Sequence, residues 1–343
     1  MDIRHRSTNA KPCPTGAAAL NPPDLPESDA ALATLVPRIG RLHLRQRLGM
    51  ERDHEARRLR GALEVHGQDM SETIRHAIRI GLRVTGLHAR GRRNARRIAV
   101  RHHVVTLPLL PRAFDGFTLL QLSDLHIDAA AGFGHALIEA VRPLAYDVCV
   151  LTGDYRARTF GPFDAALAEL AALRPYLRDP VYAVLGNHDT IRMVPPMEDL
   201  GYRFLLNESV AIERDGASIH LAGIEDAHYY RLEDFHRATE NIPEGAVAIL
   251  LSHTPAAYRH AAHAGFDVML SGHTHGGQIC LPGGRPLLTG RTPRRIVHGT
   301  WRHHALRGYT AAGSGTSIVD ARLNCPPEVT LHTLRCSTSG DDA

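Results

Sequence analysis

Two histidines that follow a short apolar run are the clearest chemical signal in this chain. His273 and His275 lie two residues apart in the segment LSGHTHGGQ, residues 270–278. Residues at that spacing in an extended backbone project to the same side, so both imidazoles can reach one metal centre. Three flanking glycines lack a Cβ, which lets the backbone turn sharply and lets a bulky anion come close. A histidine pair alone is a weak signal, and other polar residues upstream strengthen it.

Four further polar clusters precede this pair, and each follows a mostly apolar run. The clusters are Ser123-Asp124-Leu125-His126, Gly153-Asp154, Gly186-Asn187-His188-Asp189 and the lone His253. The runs before them, residues 117–122, 148–151, 181–185 and 247–251, read as buried strands. Ligands at the carboxyl ends of strands converge in one crevice of an α/β fold. We therefore expect all five clusters to form a single site.

The ordered series DxH, GD, GNHD, H and GHTH resembles the calcineurin-like metallophosphoesterases over residues 107–335. The resemblance implies an α/β fold in which two mixed β-sheets pack face to face with helices outside, a four-layer α-β-β-α sandwich. It also implies two divalent metal ions, with Asp154 bridging them. The family pattern places Asp124, His126 and His275 on one ion and Asn187, His253 and His273 on the other. These nitrogen and oxygen donors, with no thiolate, suit Mn²⁺, Fe or Zn²⁺.

The same resemblance implies the reaction. A metal-bridging hydroxide would hydrolyse a phosphodiester or pyrophosphate bond. Asn187 would also contact the substrate, and His188 would help to protonate the leaving oxygen. We expect Asp189 to orient the His188 ring.

Some residues near these clusters leave alternatives open. Where many family members carry an apolar and an acidic residue, this chain has Tyr155-Arg156-Ala157-Arg158. Arg156 and Arg158 either clamp an anionic substrate or face solvent. Asp128 is expected to support a ligand or cap a helix, and His228 to line a loop.

The substrate class is less constrained than the metal site. GHTHGGQ followed by a short apolar run and Pro282 resembles the branch of lipid-associated phosphoesterases, including UDP-2,3-diacylglucosamine hydrolases of lipid A synthesis. This favours a lipid-linked phosphate ester. Soluble phosphodiesterases that act on cyclic nucleotides share the same clusters and remain an alternative. A non-catalytic scaffold of the same fold is a third possibility, against which the complete ligand set argues.

The net charge of +4 hides an asymmetry along the chain. Residues 1–103 contain 20 Lys and Arg against 10 Asp and Glu, whereas residues 104–343 contain 20 against 26. A basic extension fits an anionic partner such as a membrane surface, and an acidic domain fits metal ligation. Nine arginines and no acidic or aromatic residue lie between Thr73 and His103. Nucleic acid is disfavoured because no aromatic side chain is available there to stack on bases.

The N-terminal third is predicted to be mostly helical. We expect a disordered tail over residues 1–29, a helix over 30–66 interrupted at Pro37, and a cationic amphipathic helix that begins at Ser71 and breaks at 91–94. One face of this second helix holds Met70, Ile74, Ala77, Ile78, Leu82 and Val84, and the opposite face holds Arg75, Arg79, Arg83 and Arg90. Such a helix either packs on the catalytic domain or lies on an anionic membrane.

Alternating strands and helices predict a largely parallel sheet from residue 104 onward. Helices are expected over residues 133–141, 163–173 and 255–264, a strand at 329–334, and a hairpin region over 202–222 around Asp215-Gly216. The domains are then a tail (1–29), a basic helical extension (30–103), the catalytic domain (104–336) and a second tail (337–343). Without an apolar run of membrane-spanning length or a secretory signal, we expect a cytoplasmic protein, peripheral at the membrane face if the basic helix binds there. Five cysteines without paired spacing suggest neither disulfides nor a structural zinc site.

Overall fold

A computed structural model describes residues 27–59, 72–287, 292–317 and 319–337 of the chain. Within these residues the chain forms nine α-helices and fourteen β-strands. The helices are α1 (Val36–Ile39), α2 (Arg41–Leu59), α3 (Glu72–Val84), α4 (Leu87–Asn94), α5 (Phe133–Val141), α6 (Asp164–Leu173), α7 (Val194–Asp199), α8 (Phe235–Thr239) and α9 (Tyr258–His263). The strands are β1 (Ala99–Leu107), β2 (Thr118–Leu122), β3 (Val148–Leu151), β4 (Val181–Ala183), β5 (Arg203–Phe204), β6 (Glu208–Arg214), β7 (Ala217–Gly223), β8 (Ala248–Leu251), β9 (Val268–Ser271), β10 (Cys280–Leu281), β11 (Arg285–Pro286), β12 (Gly299–His303), β13 (Leu306–Thr310) and β14 (Glu328–Cys336).

Twelve of these strands form two six-stranded mixed sheets. The first sheet has the order β1-β14-β2-β3-β4-β5, and the second has the order β12-β13-β9-β8-β7-β6. Strands β2 to β5 are parallel and are connected through α5, α6 and α7, which is the predicted alternation. The hairpin at Asp215-Gly216 is confirmed, because β6 and β7 pair directly on either side of it. The region predicted with this hairpin also contains β5, which belongs to the first sheet instead.

The two sheets pack against each other, and helices cover their outer faces. Consecutive residues of β2 show this arrangement, because Leu119 contributes to the core between the sheets and Leu120 to the core beneath the helices. A third core lies between the second sheet and α8 and α9. The predicted four-layer α-β-β-α sandwich is therefore confirmed.

Helices α1 and α2 and the 3-10 helix before them pack directly on this sandwich. Leu35, Ile39 and Leu44 are buried in the same core as Leu120 of β2. The break predicted at Pro37 lies instead at Gly40, whose φ of 78° interrupts the helix. Pro37 is tolerated because it stands in the first turn of α1, where its missing N–H costs no hydrogen bond. Residues 1–26 of the tail predicted over 1–29 lie outside the described residues, as do 60–71 and 338–343. Residues 27–29 belong to a 3-10 helix (Glu27–Leu35), so the predicted tail is too long at its end.

The cationic helix differs from its prediction in length and in orientation. It ends at Val84, and the predicted break at residues 91–94 lies inside α4. Gly91 packs so closely on Ala321 that a Cβ there would be 2.7 Å from the Ala321 Cβ, so this glycine serves packing and does not end the helix. Met70, Ser71 and the side chains of Ile74 and Arg75 lie outside the described part.

The predicted apolar face of α3 is divided between the protein and solvent. Leu82 and Ile78 pack on the segment around Val319 and Leu323, together with Ile279. Val84, which was predicted to share that face, is 81% exposed, and Ile80 is 52% exposed. The face that was predicted to enter a membrane is thus partly used for packing on the catalytic domain.

The boundary predicted between residues 103 and 104 falls within a strand. β1 crosses it and pairs in parallel with β14 along its whole length. The division into an extension and a catalytic domain stays a prediction. Across the residues that are described, no helix has both the length and the apolar character needed to cross a bilayer.

We expect Leu44→Ala in α2 to lower the free energy of unfolding by about 2–5 kcal/mol, because it leaves a cavity in a core shared with the first sheet. Leu42→Ala on the same helix is the matched control, since Leu42 is 68% exposed and Leu44 only 1%. The control should change stability by less than about 0.5 kcal/mol. Denaturant unfolding measures both variants. Equal values would show that α2 does not belong to the cooperative core.

Candidate metal centre

All seven predicted metal ligands lie where parallel strands end, at one edge of the two sheets. Asp124 and His126 follow β2, Asp154 follows β3, Asn187 follows β4, His253 follows β8, and His273 and His275 follow β9. Six of them are buried and His273 is half-buried. The structure therefore brings together side chains that are as much as 151 positions apart in sequence.

Their donor atoms form two groups with one carboxylate between them. In one group, His275 Nε2 lies 3.1 Å from His126 Nε2 and 3.4 Å from Asp124 Oδ1. In the other, His253 Nε2 lies 3.0 Å from Asn187 Oδ1 and 3.1 Å from His273 Nδ1. The Asp154 Oδ2 atom is 3.7 Å from His126 Nε2 and 3.3 Å from His253 Nε2.

Backbone carbonyl groups hold the rings of two of these histidines. The Nδ1 atom of His126 lies 2.9 Å from the Arg156 carbonyl oxygen, and that of His253 lies 2.8 Å from the Thr152 carbonyl oxygen. A proton on each Nδ1 makes these contacts hydrogen bonds and directs the Nε2 atom into the centre. This arrangement is typical of histidines that bind metals.

Burial and crowding shift the titration of the centre. Burial raises the pKa of Asp154 to about 7, although His253 opposes the shift. Burial alone would lower the pKa of His253, but the Asp154 and Asp124 carboxylates raise it to about 10. Burial and neighbouring histidines hold the pKa of His273 and His275 well below the usual range. Buried carboxylates beside the neutral imidazoles of His273 and His275, with nitrogen and oxygen donors alone, fit divalent cations.

The backbone of the centre is conformationally strained. Asp124, His126, Asp154, His273 and His275 all have φ between 38° and 70°, in the left-handed region that residues other than glycine rarely adopt. Such residues cost on the order of 1–3 kcal/mol each and concentrate at functional sites. Five of the seven candidate ligands thus hold their positions against a local energetic cost.

Two glycines of the predicted clusters are required by close packing. A Cβ at Gly186 would collide with the carboxylate and the backbone nitrogen of Asp154, and a Cβ at Gly272 would collide with Ser123 and Asp124. These glycines let neighbouring strand ends approach closely enough to share ligands.

The predicted role of Asp189 is wrong. Its carboxylate does not orient the His188 ring, because it accepts hydrogen bonds from the backbone nitrogens of Gly186, Asp154 and Tyr155, each at 2.8 Å. The His188 Nδ1 atom lies 3.0 Å from the Ala157 carbonyl oxygen instead. Asp189 therefore joins the ends of β3 and β4.

Of the two arginines predicted either to clamp an anionic substrate or to face solvent, Arg156 does neither and Arg158 faces solvent. Arg156 is buried and donates to the carbonyl oxygens of His188, Gly161 and Thr159, so its guanidinium serves the loop. Arg158 is exposed to solvent. Asp128 accepts a hydrogen bond from the Ala157 nitrogen, and the His228 ring lies 5.7 Å from the His273 ring.

One buried residue at the centre, Arg322, was not predicted from the sequence. Arg322 is fully buried, lies 3.3 Å from His275 Nδ1 and donates to the carbonyl oxygens of Ala312, Gly313 and Gly315. It follows His275 by 47 positions in a stretch without a recognisable motif, so no local spacing indicated it.

Comparisons with known proteins agree with this geometry. The family described as "Calcineurin-like phosphoesterase" matches residues 117–277, which include all seven candidate ligands. The chain is similar to the uncharacterized metallophosphoesterase YkoQ of Bacillus subtilis (strain 168), with 31% identity over 229 residues that cover 63% of this chain and 83% of YkoQ. It is similar to the phosphodiesterase YaeI of Escherichia coli (strain K12), with 29% identity over 234 residues, 64% of this chain and 82% of YaeI. A transmembrane protein with a metallophosphoesterase domain from Bos taurus shares 32% identity over 191 residues, 50% of this chain and 43% of that protein.

We expect Asp189→Asn to lower the free energy of unfolding by about 1–3 kcal/mol, because an amide nitrogen would replace an oxygen that faces backbone N–H donors. Asp199→Asn is the control, since Asp199 is exposed. Denaturant unfolding measures both variants. An unchanged stability, with only the pH dependence of the reaction altered, would restore the predicted role in orienting His188.

Proposed function

Because the chain belongs to the calcineurin-like phosphoesterases, which are metal-dependent hydrolases of phosphate esters, we propose that it cleaves a phosphodiester or pyrophosphate bond with two divalent ions. Asp124, His126 and His275 would hold one ion, Asn187, His253 and His273 the other, and Asp154 both. The observation that carries this proposal is the position of the Asp154 carboxylate between two groups of donors. When bound, the ions supply positive charge that neutralises the phosphate oxygens and acidifies water.

His188 is the residue that we propose to exchange a proton with the leaving oxygen. Its Nδ1–H donates to the Ala157 carbonyl oxygen, which leaves Nε2 available to the substrate. Burial lowers the pKa of His188 and neighbouring histidines lower it further, so the protonated ring gives up its proton readily. An anionic phosphate nearby raises that pKa again and allows the ring to become protonated. His188 also lies with His126 and Asp154 in a group that could hold a metal, which makes its role testable against ligation.

We further propose that the substrate is linked to a lipid, such as UDP-2,3-diacylglucosamine, and is reached at an anionic membrane surface. Exposed apolar side chains on α3 and on the β10–β11 hairpin support this: Ile80, Val84, Leu281 and Leu287, which are 52%, 81%, 49% and 55% exposed. Both elements pack around the cluster of Leu82, Val319 and Leu323, since Ile78 and Ile279 contact it. Exposed Arg79, Arg83 and Arg90 add the charge that anionic headgroups attract.

This surface lies close to the proposed metal centre along the chain and in space. The β10–β11 hairpin begins five residues after His275. The Gly91 carbonyl oxygen of α4 accepts a hydrogen bond from the backbone nitrogen of Arg322, whose guanidinium contacts His275. The relative from Bos taurus is named as a transmembrane protein, which agrees with a role for this kind of domain at membranes.

Two substitutions separate metal binding from proton transfer. We expect Asp154→Asn to lose bound metal and activity, because an amide lacks the negative charge that the Asp154 carboxylate places between the two donor groups. His188→Ala should keep both ions and slow hydrolysis by about 10²- to 10⁴-fold, most severely for poor leaving groups. Metal analysis and the turnover of bis(para-nitrophenyl) phosphate measure both. Loss of an ion from His188→Ala would make His188 a ligand, and normal turnover with two ions in Asp154→Asn would refute the assignment.

The membrane proposal predicts that the chain sediments with anionic vesicles but not with neutral ones. High salt should release it only in part, because screening weakens the arginine contribution and leaves apolar insertion intact. Changing Arg79, Arg83 and Arg90 together to Glu should abolish sedimentation while turnover of a soluble diester persists. The matched control changes Arg259, Arg294 and Arg302, which are also exposed, to Glu. Equal loss in both triple variants would mean that total charge matters and this surface does not.

A further inference from the structure

Helix α2 (Arg41–Leu59) is joined to the loop that carries Asn187 and His188. Arg47 of α2 is fully buried, and its guanidinium donates to the Asp189 carbonyl oxygen at 2.9 Å. The same guanidinium donates to Glu51 Oε1 at 2.9 Å and to Glu225 Oε2 at 2.6 Å. It also lies 3.6 Å from the centroid of the Tyr230 ring. Each nitrogen of this buried cation therefore has a partner, which is the condition under which such a charge is tolerated.

Glu51, one turn later on α2, holds the next residues of the same loop. Its carboxylate accepts hydrogen bonds from the Thr190 hydroxyl at 2.6 Å and from the Ile191 backbone nitrogen at 2.8 Å. Three consecutive residues of the loop, 189–191, are thus held by two side chains of one helix. This helix lies outside the residues 117–277 that match the family.

The contacts continue from this loop into the proposed metal centre. Asp189, whose carbonyl oxygen Arg47 holds, binds the backbone nitrogens of Asp154 and Gly186 through its carboxylate. The Asp154 carboxylate in turn accepts a hydrogen bond from the His188 backbone nitrogen at 2.8 Å. A shift of the Asp189 backbone would therefore move Asn187 and His188 relative to Asp154.

From these contacts we propose that α2 holds the loop of residues 187–191 in position at the candidate metal centre and that Arg47 is the positioning residue. This proposal rests on the proposed function, which assigns the loop its role in metal binding and proton transfer. It adds α2, a helix that carries none of the candidate ligands. Arg47 acts through Asp189 and touches neither the substrate nor a donor atom of the centre. Its fork of donors contacts two carboxylates and a carbonyl at once, which the point charge of lysine cannot reproduce.

The test compares Arg47→Met, Arg47→Lys and Glu51→Gln with Arg45→Met in the full chain. Arg45 lies on the same helix and is exposed, so its variant controls for loss of an arginine from α2. Three measurements apply to each variant: Mn²⁺ binding by calorimetry, kcat and KM for bis(para-nitrophenyl) phosphate, and hydrogen exchange of the amides of residues 186–192. Exchange in α5 and α6 reports on global stability in the same experiment.

We expect Arg47→Met to reduce kcat by about 10- to 100-fold, to weaken the binding of one of two Mn²⁺ ions, and to speed exchange at residues 186–192 while α5 and α6 stay protected. Arg47→Lys and Glu51→Gln should change the same quantities less, and Arg45→Met should resemble the unmodified chain. If Arg47→Met does not fold, the other two variants decide the question by the same measurements.

The proposal is overturned if folded Arg47 and Glu51 variants keep normal kcat, Mn²⁺ affinity and loop exchange, or if exchange rises equally throughout the protein. Failure of the proposed function gives a different result. The unmodified chain would then neither bind Mn²⁺ nor turn over the diester, and hydrogen exchange would still show whether α2 holds the loop.

Discussion

The rest of the candidate centre depends on the hydrogen bonds that the Asp189 carboxylate accepts. It is fully buried and accepts three backbone hydrogen bonds, two from the segment after β3 and one from the segment after β4. Hydrogen bonds from three N–H groups to the two oxygens of one carboxylate are stabilising, whereas three unpaired N–H groups in the same place would be costly. A further hydrogen bond joins the same two segments, because the Asp154 carboxylate accepts from the His188 backbone nitrogen. The two strand ends thus hold each other in register before any ligand of the second sheet is considered.

This support explains how the centre tolerates its unusual backbone. Left-handed φ values at five candidate ligands oppose folding locally, so contacts around them must compensate. Arg156, Arg322 and Arg47 contribute in the same manner, because each is a buried guanidinium that donates to backbone carbonyl oxygens beside a ligand or its loop. A search for anion-binding residues would select these three arginines, but here their guanidinium groups hold the main chain in position. Charge near a phosphate site is therefore weak evidence for substrate contact.

Features that depend on local order could be predicted from the sequence, and features that depend on distant contacts could not. The ligand clusters follow apolar strands directly, so their convergence at one edge followed from the alternation of strands and helices. Asp189 was misassigned because its partners, Asp154 and Tyr155, are more than thirty positions away. Arg41, Arg45 and Arg47 lie in the same arginine-rich stretch, and the sequence does not show which of them is buried. Only the tertiary packing distinguishes Arg47, which is buried, from the other two, which are exposed. The amphipathic pattern of α3 is the same for a helix that packs on protein and for one that lies on lipid. The structure shows Leu82 packed and Val84 exposed. Strands β10 to β13 are short or rich in charged residues and gave no alternating pattern.

The order of strands in the first sheet has a consequence for how the protein is made. β14 lies between β1 and β2, although about two hundred residues separate it from either strand in the chain. During synthesis β1 therefore has no neighbour in the sheet, and one edge of β2 stays unpaired, until residues 328–336 have left the ribosome. An unpaired edge of this kind invites pairing with other chains. All seven candidate ligands are synthesised before β14, which completes the first sheet. The position of this one strand in the sequence therefore sets how long the edge of β2 stays unpaired during translation.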